Sequence, residues 1–120
     1  MCMKKWITAV SVVFLLMPLP SMAQILKVES GKVKLYDYNG SYKRQLPVTD
    51  AVNASTNGDL IAVVFIDGKV KLYDSNGSYK RQLPVTDAVG VAFSGNDIVV
   101  TFKDGKVKIY DTNGSYKRQI

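Results

Sequence analysis

Few residue types capable of chemistry are present in this chain. Histidine is absent, and the single cysteine is Cys2. That removes the usual general base, the usual thiol nucleophile and the commonest zinc ligands. No pair of carboxylates stands out by spacing, and no glycine-rich loop leads from a strand into a helix to cradle a phosphate. What recurs is Tyr-Lys-Arg: Tyr42, Lys43 and Arg44; Tyr79, Lys80 and Arg81; Tyr116, Lys117 and Arg118. An aromatic ring beside two cations can stack on a sugar or base and pair with a phosphate or carboxylate. Presented several times, such a group binds by avidity without high affinity at one site. Charged residues on an outer strand also block edge pairing, which is a purely structural explanation of the same pattern. The chemistry implied is recognition: the sequence predicts no enzyme, no cofactor and no metal site.

Two further recurrences have structural readings. Asp37, Asp74 and Asp111 each precede a turn, where a carboxylate can accept hydrogen bonds from nearby backbone amides. Calcium would need several converging oxygens, and no acidic cluster is visible. Lys32 with Lys34, Lys69 with Lys71, and Lys106 with Lys108 fall on the polar face of a strand, where their aliphatic stems are expected to pack while the amines reach water.

These groups are carried by a repeat. Gly31 to Val52 reads GKVKLYDYNGSYKRQLPVTDAV, and Gly68 to Val89 differs from it only at Ser75 against Tyr38. A third copy, GKVKIYDTNGSYKRQI, runs from Gly105 to Ile120, and the starts are 37 residues apart. Within a unit, Lys69 to Tyr73 alternates, with Val70 and Leu72 assigned to one face and the lysines and tyrosine to the other. Asn76-Gly77 is the dipeptide suited to the positive φ angles of a tight hairpin. The return strand Tyr79 to Leu83 closes on Pro84, which fits an outer or terminal position. Ahead of the hairpin in a full unit lie two apolar runs, Ala88 to Phe93 and Ile98 to Phe102 in the last unit, split by Ser94-Gly95-Asn96. Four short strands per unit follow. The hairpins are nearly constant, whereas Asn53 to Asp59 and Gly90 to Asp97 differ between copies and offer a place for a varied binding edge.

The segment VGVAFSGNDIVVTFKDGKVKIYD from Val89 resembles a WD-repeat blade, with an inner VAFS strand, a DG turn and a VKIYD strand. The hairpin YDTNGSYKRQI is also similar to NHL-type propeller repeats. The resemblance implies an all-β fold of tandem four-stranded antiparallel blades from a partial β-propeller. The expected organisation is a signal peptide over 1–23, whose apolar part is a helix, and a repeat domain over 24–120 with a partial unit 24–49 and full units 50–86 and 87–120.

The first segment carries the address. Lys4 and Lys5 are followed by a nearly continuous apolar stretch from Trp6 to Leu16, then by Pro18, Pro20 and the small-residue site Ser21-Met22-Ala23. Cleavage is expected after Ala23, leaving Gln24 as the new N-terminus and a secreted or periplasmic product. The competing retained anchor is shorter than the roughly 20 apolar residues a spanning helix needs, so no membrane anchor is expected after cleavage. Met3 would serve equally well as the start. No cysteine stands at the cleavage point, so neither a lipid anchor nor a disulfide follows. Without Lys4 and Lys5 the net charge falls from +6 to +4. That excess favours weak attraction to anionic surfaces but falls short of the concentrated basic face of a nucleic-acid binder.

Closed propellers need about 4 to 8 blades, and this chain encodes two and a fragment lacking its inner strand. Its terminal sheets would expose apolar faces, so self-association is expected, with two chains completing a six-bladed ring. The function expected is a non-enzymatic binding or protein-interaction module, with a protein or an anionic glycan as ligand. A structural protein that assembles end to end, or a truncated copy of a longer propeller gene, is the alternative.

Overall fold

The computed structural model describes residues 25–120. The signal segment, its helix and the cleavage point at Ala23 and Gln24 lie outside the described residues. Eleven strands make three antiparallel sheets in series. The first holds β1 (Ile25–Glu29), β2 (Lys32–Tyr36) and β3 (Tyr42–Gln45). The second holds β4 (Ala51–Thr56), β5 (Leu60–Phe65), β6 (Val70–Asp74) and β7 (Tyr79–Gln82). The third holds β8 (Ala88–Ser94), β9 (Asp97–Phe102), β10 (Val107–Tyr110) and β11 (Tyr116–Gln119). Among the described residues there is no helix. Among the described residues, the first sheet has no counterpart of β4 and β8, the innermost strands of the other two.

Alternation of apolar residues makes these segments strands, and stacking makes them stable. Each sheet has a leading face toward the preceding sheet and a trailing face toward the next. Val33, Leu35, Leu46 and Val48 on the trailing face of the first sheet bury against Ile61, Val63 and Tyr73 on the leading face of the second. Ala62, Val64, Val70, Leu72, Leu83 and Val85 on its trailing face bury against Ile98, Val100 and Tyr110 of the third. A fully buried Val, Leu or Ile contributes about 1.5–3 kcal/mol, so the two seams carry most of the fold's stability. Val91 N–H also donates to Asn53 Oδ1 at 3.3 Å, tying the innermost strands together.

The face assignment made from alternation holds, with Tyr73 and Lys71 opposite Leu72 and Val70, but the face that carries the lysines and tyrosine is not a solvent-facing polar surface. Tyr73 and Tyr110 are 5% exposed, inside the seams rather than on a polar surface. The reason is β-strand geometry: Val70 and Leu72 face the following sheet, and the opposite face is covered by the preceding one.

The hairpin turns also depart from expectation in one respect. Gly77 takes φ +91°, but Asn76 stays at negative φ, so this is not a two-residue turn with both central residues left-handed. Gly77 N–H donates to Asp74 O at 3.0 Å, Asp74 N–H donates to Ser78 O at 2.9 Å, and the Asp74 carboxylate accepts from Asn76 N–H and Ser78 N–H at 2.9 Å each. The carboxylate holds a longer loop ending in a left-handed glycine. Asp111 repeats this in the third unit, and Asp37 in the first. Among the described residues, the two-residue turn with both central residues left-handed is Ser30-Gly31, with φ +52° and +80°.

Successive sheets are joined by linkers that cross a glycine. Ala88 N–H donates to Gly68 O at 3.0 Å, and Lys103 N–H to Asp87 O at 2.9 Å, so the Thr86–Asp87 linker is pinned to the turns of both sheets. A Cβ on Gly68 would lie 1.9 Å from Thr86 O.

Candidate functional site

The Tyr-Lys-Arg triples occupy the outer strands β3, β7 and β11. In each, the register slips by one residue: Leu35 pairs with Arg44 while Tyr36 pairs with Tyr42, leaving Lys43 as the extra residue. Leu72 with Arg81 and Tyr73 with Tyr79 repeat the slip around Lys80, and Ile109 with Arg118 and Tyr110 with Tyr116 repeat it around Lys117. Cross-strand partners share a face. Each tyrosine therefore lies on its sheet's leading face and each arginine on its trailing face. The three side chains adjacent in sequence do not form one patch.

Leading and trailing faces meet at a seam, so Arg44 belongs to the seam that holds Tyr73 and Tyr79, and Arg81 to the seam that holds Tyr110 and Tyr116. Arg44 and Arg81 are half-buried, and each has a buried Nε without a hydrogen-bond partner. Arg118, on the trailing face of the third sheet, is exposed. Lys43 and Lys80 are exposed, whereas Lys117 Nζ is paired with Asp97 at 3.0 Å.

The outer tyrosines are anchored rather than loose. Tyr42, Tyr79 and Tyr116 are 57%, 56% and 55% exposed. Each packs edge-to-face on the tyrosine across the turn, Tyr36, Tyr73 and Tyr110, at 5.7–5.8 Å between ring centroids. An edge-to-face pair is worth about 0.5–1.5 kcal/mol and fixes the exposed ring's orientation. Burial first, and then the neighbouring Tyr79 or Tyr116, pushes the Tyr73 and Tyr110 hydroxyls above the ordinary tyrosine range. Tyr73 and Tyr110 thus stay neutral supports at physiological pH.

Beside the second seam lies an open cleft of about 480 Å³, lined on one side by Pro84–Asp87 and on the other by Phe102, Lys103, Lys106, Lys108 and Tyr110. Lys108 Nζ sits 5.2 Å over the Phe102 ring, and Lys106 pairs with Asp104 at 3.9 Å. Cations and two aromatic rings converge here from β9, β10 and the turn between them. Spacing along the sequence did not mark this cleft, because the linker that forms its other wall comes from the preceding repeat. The supporting tyrosines were missed too, although a second tyrosine six residues before each outer one was the available signal. Among the described residues, no group of three or more acidic, cysteine or histidine residues could hold a metal ion.

Comparison with known proteins adds a family and a fold. The family model described as Helicobacter pylori IceA2 protein matches residues 22–83. A model described as MORN repeat variant matches residues 103–120. The crystal structure of Saccharomyces cerevisiae Sqt1 is similar with a TM-score of 0.61 at 17% identity, over 80% of this chain and 30% of that one. The chain thus spans less than a third of that structure's length, and the likeness is one of fold, a β-repeat built of antiparallel sheets. The comparison with curated proteins gives no match.

Proposed function

From the premise that this chain belongs to the family described as Helicobacter pylori IceA2 protein, we propose that it is an exported, non-enzymatic β-repeat module, of the WD-repeat-like or NHL-like propeller kind, that binds an anionic ligand. The ligand class is a glycan or protein carrying carboxylate or sulfate groups. One observation carries this reading: exposed tyrosines held by edge-to-face partners recur at the rim of all three sheets, with an arginine entering each of the two seams. Rigid aromatics contribute contact area at little entropic cost, and seam arginines add charge-assisted hydrogen bonds to a bound anion. The lysine-lined cleft at the second seam extends the same chemistry. The +4 charge left after loss of Lys4 and Lys5 supports an anionic partner without the density that nucleic acid demands.

The test is an array of acidic glycans and acidic peptides probed across a salt series. Binding that weakens with salt, and that falls with Tyr79→Ala, Tyr116→Ala or the pair Lys103→Ala and Lys106→Ala, is the expected result. No binding at any salt concentration refutes the reading. N-terminal sequencing of the product collected outside the cytoplasm tests export, with Gln24 as the expected first residue.

A further inference from the structure

Four Asn-Gly dipeptides recur in the chain, Asn39-Gly40, Asn57-Gly58, Asn76-Gly77 and Asn113-Gly114. Asparagine before glycine can modify itself: the glycine amide nitrogen attacks the asparagine Cγ, the carboxamide nitrogen leaves as ammonia, and a succinimide ring forms. Water then opens the ring at either carbonyl, giving aspartate or isoaspartate. Glycine favours the attack because no Cβ shields its nitrogen. The backbone is alike at the four sites, with glycine φ of +92°, +101°, +91° and +90°. Each glycine N–H also donates one hydrogen bond, to Asp37 O, Thr56 Oγ1, Asp74 O and Asp111 O respectively, at 2.9–3.0 Å.

What differs is the hold on the asparagine carboxamide, which must be released before its Cγ can turn onto the next nitrogen. Asn57 Oδ1 accepts from Asp59 N–H and Leu60 N–H at 2.9 Å each, and Gly58 is buried. Asn39 Oδ1 accepts from Ser41 N–H at 3.1 Å. Asn76 and Asn113 are exposed, and among the described residues their carboxamides make no hydrogen bond; only their backbone N–H groups are held, by Asp74 and Asp111. Asn76 is exposed even though its sheet is buried on both faces.

We propose that Asn76 and Asn113 are sites of self-deamidation, open in the folded protein, and that the fold shields Asn57. Each event consumes one water and releases one ammonia, with no other reactant. The product acts on the tyrosine rim. A carboxylate at position 76 faces like charge from Asp74, which already holds the loop through Asn76 N–H and Ser78 N–H. Isoaspartate also lengthens the backbone of the loop that brings Tyr79 onto Tyr73 at 5.8 Å. Modification therefore loosens the support of the exposed ring and removes positive charge from the chain.

The full chain is aged in mildly alkaline buffer and, separately, in urea, then digested with trypsin, and deamidated peptides are followed by mass spectrometry. The three hairpin peptides differ at Tyr38, Ser75 and Thr112, so each site is read by itself. Expected in the folded chain are equal rates at Asn76 and Asn113, a rate about 5-fold lower at Asn39 and one about 30-fold lower at Asn57, for one and two side-chain hydrogen bonds. In urea the four rates converge. Thr56→Val, which takes the acceptor from Gly58 N–H, raises the Asn57 rate of the folded chain by about 5-fold, and an unchanged circular dichroism spectrum verifies the fold. Chains modified at Asn76 unfold at lower urea concentration than fresh ones. The proposal is overturned by equal rates at Asn57 and Asn76 in the folded chain, by the same ranking in urea as in buffer, by modification of Asn76 in urea alone, or by an unchanged urea midpoint after modification.

Discussion

Gly68 and Gly105 form a natural control for the energy of a seam. They occupy the same place in the same turn, with φ of +85° and +91°. Each donates its N–H to the phenylalanine carbonyl three residues earlier at 2.9 Å. Alanine at either position meets the left-handed penalty, about 1 kcal/mol. Only at Gly68 does the added Cβ strike backbone, 1.9 Å from Thr86 O and 2.8 Å from Thr86 C. The linker must withdraw by about 1 Å, which adds strain of roughly 1–3 kcal/mol. It also loosens the Ala88 N–H to Gly68 O bond, worth about 1 kcal/mol. Gly68→Ala should therefore destabilise by about 3–5 kcal/mol and Gly105→Ala by about 1 kcal/mol. Urea unfolding followed by circular dichroism, at concentrations where the chain is monomeric, measures both. If the two variants fall within about 0.5 kcal/mol of each other, the linker does not pack on Gly68 as described and the serial arrangement of sheets is wrong.

Other outcomes follow from the same geometry. Leu83→Ala should cost about 2–5 kcal/mol in urea unfolding, whereas Ile120→Ala, at the equivalent repeat position, should leave the monomer's midpoint unchanged. Asp74→Ala removes the acceptor for two backbone amides and should cost about 1 kcal/mol, while Asp74→Asn, which keeps one oxygen, should retain most of the stability. Because Tyr73 and Tyr110 lose their protons at higher pH folded than unfolded, their contribution is complete below about pH 10 and declines as pH rises through the folded values. Urea midpoints at alkaline pH should fall for the parent chain and fall less for Tyr73→Phe with Tyr110→Phe.

Strand positions, the 37-residue unit, the trimmed first sheet and the capping aspartates were all legible in the residues, because alternation, turn chemistry and repetition are local properties. Whether a side chain ends up in water is not local. Tyr73 alternates like a surface residue and is buried because a neighbouring sheet covers its face. Tyr79 and Arg81 are two residues apart and would share a face in a regular strand; the extra residue Lys80 puts them on opposite faces, in different seams. The charge at the end of β1 was hidden for a related reason. The Ser30-Gly31 turn is one residue shorter than its counterparts, so only the observed pairing shows Glu29 standing in for Phe65. Sequence order specified which strands and turns form; stacking and strand register, which join residues far apart in the chain, chose what each face buries.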